Sequence, residues 1–241
     1  MKLIPSLIIL AAVVGLSGSP ACGGAPLEEG VAVAIAFDAS GSMLEAVKDA
    51  DGKSSPKNII AARALQAIVQ RLQTFVADAP ASAARKLDAG LYVFSGKDAR
   101  ELVALRPFDV NHLEHWTNNL PAPAAGTPLG IAVETASRAL LKSPLSRKHL
   151  LVITDGVNTV GPDPARVLPR LQQEAAQKQT ALSVHFVAFD VDAKLFDPVK
   201  KLGATVLGAA NESQLNTQLE FILEKKILLE DEEPPTRKKT N

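Results

Sequence analysis

The chain has a single cysteine, Cys22, in 241 residues, which excludes an internal disulfide. It has one tryptophan and one tyrosine, too few to build the aromatic platforms on which single-stranded nucleic acid stacks. It also lacks an excess of either charge, because 26 lysines and arginines face 26 aspartates and glutamates. No local basic cluster interleaved with aromatics offsets that balance. The triplet Arg237 to Lys239 is brief and follows an acidic run, so nucleic acid is not an expected partner. Repeats are missing, as is any shift in composition that would mark a second domain. The length suits one full domain with a substantial core.

What is present begins with an apolar leader. MKLIPSLIILAAVVGLSGSPAC carries Lys2, an apolar stretch to about Leu16 and then small residues, the order of an export signal. Pro5 is compatible with this, since such a signal needs only a short apolar region. The run breaks at Gly15 and Gly18, short of the roughly 20 residues of a permanent span. Residues 1–21 are therefore read as a signal peptide. Cys22 follows at once, and this stretch resembles the box in which a bacterial lipoprotein carries the cysteine lipidated after cleavage. Ser19 holds the place usually taken by leucine, with Pro20 and Ala21 behind it. Ser19 and Ala21 also suit an ordinary signal peptidase, which would leave Cys22 as a free thiol. A lone exported cysteine is a liability unless modified or paired, which favours lipidation, and several acyl chains would anchor the product firmly. Residues 22–29 then form a short tether. The resemblance implies that Gly23 does not retain the protein at an inner membrane. The expectation is a lipoprotein of the outer membrane, or one facing the periplasm, ahead of a free periplasmic or secreted protein.

Gly30 to Phe37 is apolar throughout, the mark of a parallel strand covered on both faces. Ser55 and Pro56 read as the cap and first residue of a helix whose Ala61, Leu65, Ile68, Leu72 and Phe75 recur at helical spacing to about Ala77. Leu87 to Gly96 and Glu101 to Phe108 read as two strands separated by few residues, hence an antiparallel pair at a sheet edge. A short helix is expected over Asn111 to Asn119. After the loop PAPAAG, Pro128 opens another, with Leu129, Val133, Ala136 and Leu140 on one face. Lys148 to Gly156 is the fourth strand. Asp163 and Pro164 start a helix whose first turns Pro169 should disturb. Ser183 to Asp190 is the fifth strand. A short helix near Ala193 to Leu202, a brief strand ATVLGA and a last helix from Ser213 to Leu228 complete the pattern. Strands alternating with helices make residues 30–228 one open α/β domain, and residues 229–241 read as a charged, solvated tail.

Three strand or loop ends carry oxygen. Asp38, Ser40 and Ser42 follow the first strand in FDASGSM, Asp155 follows the fourth, and Thr127 precedes a helix. In an open α/β sheet, ligands sit beyond the carboxyl ends of the strands, where strand order reverses. If the first and fourth strands are neighbours there, Asp38 and Asp155 face each other and the three hydroxyls can fill the remaining sides. FDASGSM, GTPLG at Gly126 to Gly130 and TDGVN at Thr154 to Asn158 together resemble the three segments of the metal-ion-dependent adhesion site of von Willebrand factor type A domains. The similarity runs from about Val31 to Leu228. It implies a doubly wound, mostly parallel six-stranded sheet of order 3-2-1-4-5-6 with the third strand antiparallel. It implies further that Ser40, Ser42 and Thr127 offer hydroxyl oxygens to the ion, while Asp38 and Asp155 hold it directly or through water. An all-oxygen set suits Mg2+, with Mn2+ or Ca2+ as alternatives, and neither cysteine nor histidine is at hand to select zinc. The open position implies a partner protein offering Asp or Glu as the last ligand.

Other residues are assigned plainer roles. Asn158 and Gly156 are read as turn residues, Met43 as packing, and Asp49 and Asp51 as part of a solvated insertion near the metal face. His112 and His115 lack a third ligand, so theirs is read as a surface helix anchored by Trp116. His149 and His185 are read as packing or edge residues, not as a catalytic dyad. The expected function is non-enzymatic, metal-dependent protein binding in the bacterial envelope. A metal-dependent hydrolase or phosphoryl-transfer enzyme is the rival, as is a structural protein with a vestigial site. Against the enzyme stand the lack of a glycine-rich phosphate loop, of a plausible general base and of a cationic side chain near the metal segments, Lys48 and Lys53 reaching them only if the insertion folds back.

Overall fold

A strand that is apolar at every position can be satisfied only inside a sheet covered on both sides. The computed structural model, which describes residues 26–79 and 85–228, places β1 (Glu28–Asp38) at the centre of such a sheet, buried from Gly30 onward. β4 (Leu87–Ser95) and β6 (Leu145–Thr154) flank it in parallel. β7 (Ala181–Phe189) and β8 (Thr205–Ala209) extend the sheet beyond β6, again in parallel. β5 (Asp98–Pro107) closes the other edge antiparallel to β4. The order is β5-β4-β1-β6-β7-β8, which is the expected arrangement: six strands, doubly wound, with the third in sequence reversed.

Alternation along β1 divides the core in two. Val31, Val33, Ile35 and Phe37 point to the face covered by α1 (Lys57–Ala77), α2 (Val110–Thr117) and α6 (Glu212–Ile222). Ala32, Ala34 and Ala36 point to the other, beneath α3 (Leu129–Leu140) and α4 (Pro164–Gln177), where their small size lets a helix lie close to the sheet. A 3-10 turn at Ala193–Phe196 runs into α5 (Asp197–Lys200), and a π-helical turn, Leu223–Leu228, follows α6.

Several element ends depart from the sequence reading. Pro56 stands at the N-cap position of α1 and Lys57 is its first residue. Ser55 caps nothing, because its hydroxyl donates to Asp49 Oδ2 at 2.8 Å. The insertion before α1 is itself folded: β2 (Ala46–Lys48) and β3 (Ser54–Pro56) form an antiparallel hairpin. Asp49 organises its turn by accepting from the backbone N–H groups of Asp51 and Lys53. Pro169 does not disturb α4, which runs through it unbroken. Pro169 lies on the exposed face, where water can take the carbonyl it leaves unbonded. β5 begins three residues before its expected start.

The signal peptide, Cys22 and the charged tail lie outside the described residues. Glu28 and Glu29, at the end of the expected tether, belong to β1. Among the described residues, no helix is long and apolar enough to cross a membrane.

Candidate metal centre

All the parallel strands end on one side of the molecule, and the pairing of β1 with β6 brings their carboxyl ends together there. Asp38 is the last residue of β1 and is fully buried. Its Oδ1 accepts the backbone N–H of Ser40 at 2.7 Å, and its Oδ2 accepts the Thr154 hydroxyl at 2.6 Å. Burial pushes the Asp38 carboxyl up to about 6, against the bonds from Thr154 and Ser40, with the charge of Asp155 adding to the rise. The chain then turns through Gly41–Leu44, a 3-10 segment in which Ser42 faces the site and Met43 is buried in the core, as expected of a packing residue.

The Ser40 and Ser42 hydroxyls lie 3.1 Å apart, and Ser42 Oγ donates to Asp155 Oδ1 at 2.7 Å. Residues 113 positions apart in sequence thus share a hydrogen bond at the sheet's carboxyl edge. Thr127 reaches the same place from the loop before α3. Its N–H donates to Thr159 Oγ1 at 2.8 Å, and its carbonyl accepts from the Thr159 N–H at 3.0 Å. Gly126 makes this approach possible. Its φ is +92°, and a Cβ there would stand 2.3 Å from the Gly96 carbonyl oxygen. On its other side the same loop is tied to the first segment, Ala124 N–H donating to the Ala39 carbonyl at 2.9 Å.

Gly156 sits in the turn after β6, as expected, and its N–H donates to Thr154 Oγ1. A Cβ there would lie 3.8 Å from both Ser42 Oγ and Thr127 Oγ1, which places these two hydroxyls on either side of Gly156 at ordinary contact distance. Asn158 is a turn former, as expected: its side chain accepts from Gly130 N–H and donates to the Gly161 carbonyl. The structure therefore brings together Asp38, Ser40, Ser42, Thr127 and Asp155 from three separate segments.

The donors fit a hard divalent cation in kind, being two carboxylates and three hydroxyls with no sulfur or nitrogen. Among the described residues, no group of three or more His, Cys, Asp or Glu side chains is placed to hold a metal ion, so a cation at this edge depends on the hydroxyls.

One charged residue at the site was missed by sequence reasoning. Lys57 was expected only as a helical residue, yet its ammonium lies 3.1 Å from Asp155 Oδ2, 2.9 Å from Glu45 Oε2 and 3.1 Å from Asp190 Oδ2. Burial pulls this ammonium's pKa down, but the bonds to Glu45, Asp190 and Asp155 outweigh it and hold the group above the usual lysine range. The expectation that no cationic side chain approaches the metal segments is thus corrected. Lys48 and Lys53, the two lysines considered, lie on the hairpin and are exposed. The signal that could have found Lys57 is its place at a helix start just after a serine- and proline-marked turn, where a lysine opposes the helix dipole.

Exposed apolar side chains lie near the site's oxygens, interspersed with the exposed carboxylates of Glu45 and Asp190. Leu44, Val157 and Leu195 are 59%, 42% and 54% exposed. Leu44 and Val157 each lie two residues from a candidate ligand, and Val157 and Leu195 line one shallow cleft with Leu129. The remaining histidines stand apart. His115 packs edge-on against Trp116, which is anchored on the core, and His149 and His185 stack on each other within the sheet.

The family model of the von Willebrand factor type A domain matches residues 32–220. No curated protein matches the chain. Among solved structures, the von Willebrand domain of the type V pilus tip protein Mfa5 from Porphyromonas gingivalis is similar at 14% identity and a TM-score of 0.59, covering 84% of this chain and 96% of that one. An aerotolerance-related membrane protein from Bacteroides fragilis is similar at 18% identity and a TM-score of 0.54, covering 81% and 98%. A variant of the PilB minor pilin from Streptococcus sanguinis gives 14% identity and a TM-score of 0.57, with 86% of this chain spanning 62% of the pilin. At such identities these likenesses concern the fold.

Proposed function

The chain belongs to the von Willebrand factor type A domain family, and from that premise we propose that it is a divalent-metal-dependent protein-binding module of the bacterial cell envelope. The observation that carries this reading is the convergence of Asp38, Ser40, Ser42, Thr127 and Asp155 at one edge, joined by the Ser42–Asp155 hydrogen bond. These five residues would hold Mg2+, or Mn2+ or Ca2+ in its place. The bound ion would supply a Lewis-acidic position at the surface, and a partner's Asp or Glu would complete its coordination.

The protein's own residues would prepare that encounter. Thr154 and the backbone of Ser40 fix both oxygens of Asp38. Ser42 fixes one oxygen of Asp155 and Lys57 the other. Leu44, Val157 and Leu195 offer apolar surface beside the ion, which favours an acidic side chain flanked by apolar neighbours on the partner. The fold is shared with a pilus tip protein and a minor pilin, and this agrees with a binding role in the envelope. No catalytic role is assigned.

Export and lipidation of Cys22 complete the proposal. β1 runs from Glu28 toward Asp38 through 11 residues, about 35 Å at the usual strand rise. An anchor before Glu28 would therefore leave the domain at the end of β1 opposite the metal, presenting the site away from the membrane.

The test is capture of envelope proteins on the full chain in Mg2+ and in EDTA, with Asp38→Ala as control. A protein retained by the wild type only with Mg2+, and lost in D38A, is the expected result. A partner held equally in all three conditions would move the interface to another face. For a partner captured only in Mg2+, Leu44→Asp with Leu195→Asp should reduce capture while leaving Mg2+ binding intact.

A further inference from the structure

Lys57 is in an unfavourable place by every local criterion. It opens α1, where the helix dipole disfavours positive charge, and no acidic residue shares its first turn. Only 3% of its side chain is accessible, so the ammonium has little water around it. What holds it there is a set of three carboxylates from three different segments. Glu45 follows the 3-10 turn that carries Ser42, Asp155 follows β6, and Asp190 follows β7. The hairpin brings the first of these into place, since Lys57 N–H donates to the Glu45 carbonyl at 2.8 Å.

The Asp155 carboxylate is therefore divided. Oδ1 belongs to the hydroxyl cluster through Ser42, and Oδ2 is held by the ammonium. Any cation that uses Asp155 from the hydroxyl side would share that carboxylate with a fixed positive charge on its far side. Like charges so close repel, and burial weakens the screening. We propose that Lys57 is the resident cation of this site. Without a divalent ion it balances Asp155, and with one it opposes the ion's charge, holding divalent affinity low so that a partner's carboxylate is needed for firm binding. The inference rests on the metal-binding reading above and adds to it a residue that sets metal affinity.

The experiment is calorimetric titration of Mn2+ into the full chain, alongside thermal melts with and without Mn2+. Lys57→Gln removes the charge, and Lys57→Arg keeps it. Lys57→Gln should bind Mn2+ about tenfold tighter than wild type, melt lower without metal and gain more from its addition. Lys57→Arg should stay near wild type. Glu45→Gln, at a side chain 69% exposed, should move the other way by about threefold, because it removes an anion and leaves the ammonium to Asp155 and Asp190.

Equal or weaker binding by a folded Lys57→Gln would overturn the inference and leave Lys57 as a residue that only orients Asp155. If Lys57→Gln folds only when Mn2+ is added, metal has replaced the ammonium and the inference stands. If it fails to fold even then, the inference falls. Binding by Lys57→Gln but not by wild type would remove metal dependence from the native protein while leaving Lys57 as resident cation. Binding by wild type without a gain in Lys57→Gln does the reverse, and binding by neither removes both.

Discussion

Thr154 places a hydroxyl against a carboxylate that has no access to water. Asp38 is 0% exposed, and a buried charge of this kind is tolerable only while its oxygens are bonded. The Thr154 bond, at 2.6 Å, is the strongest of those that lower the Asp38 pKa. Valine would fill the same space in the strand and suits β structure as well, so Thr154→Val isolates the hydroxyl. The variant should lose about 1–3 kcal/mol of metal-free stability in urea unfolding, the usual cost of leaving a buried acceptor unpaired. It should also bind Mg2+ more weakly, since the Asp38 carboxyl would rise above its present value of about 6 and hold its proton more firmly. Unchanged stability would mean that the Ser40 N–H alone suffices for Asp38.

The hairpin β2–β3 is the element that joins the site's two halves of charge, because its base pairs Glu45 with Lys57. It is held down at its tip by Glu212, which accepts from Ala50 N–H at 2.8 Å and from two Arg63 nitrogens at 2.9 and 2.8 Å. Arg63 first, and Ala50 with it, hold the Glu212 carboxyl below its usual range against the opposing effect of burial. Glu212→Ala should therefore release the hairpin. Amide exchange over residues 46–56 should quicken by about tenfold or more while β1 and β6 are unaffected. Slow exchange in that variant would show that the β2–β3 ladder holds the hairpin by itself. This element also marks where the sequence stops being legible. Asp38, Ser40, Ser42, Thr127 and Asp155 could be singled out because three short segments resemble a known metal site, and apolar periodicity places those segments just beyond two strands and just before a helix. Sheet order places those ends together. Lys57 could not be read in this way, because its role depends on hairpin closure and on Asp190, a residue 133 positions away that reaches it only through the β6–β7 pairing. Ser55 was misread as a cap for the same reason: its hydroxyl serves Asp49 across the hairpin turn.

The whole molecule responds to acid through a pair that is far from any loop. His149 and His185 stack with ring centroids 5.6 Å apart, Nδ1 of His149 lying 3.3 Å from Nε2 of His185, on adjacent central strands. They point to the face that carries Leu151 and Val187, under α6. Burial first, then the neighbouring His185 and Arg147, pushes His149 down to about 3. Burial and Lys226 push His185 down to about 4. In the unfolded chain both would titrate near 6.5. Between that value and about 3 the unfolded chain binds protons that the folded chain excludes. The pair's contribution to stability is thus fully present above pH 6.5 and is lost as pH falls, at about 1.4 kcal/mol per pH unit for each histidine. Asp38 acts in the opposite sense between 3.8 and about 6, where its raised carboxyl takes up a proton in the folded state first. That effect is a single group against two, and it is common to wild type and histidine variants alike. A chain carrying His149→Leu and His185→Leu should therefore lose less stability than wild type between pH 7 and pH 5, by about 4 kcal/mol in urea unfolding at the two pH values. Because β6 and β7 lie inside the sheet, no local opening can relieve the charge, and the loss should appear as one cooperative transition at both pH values. Parallel pH profiles for the two proteins would mean that the histidines titrate normally in the native sheet.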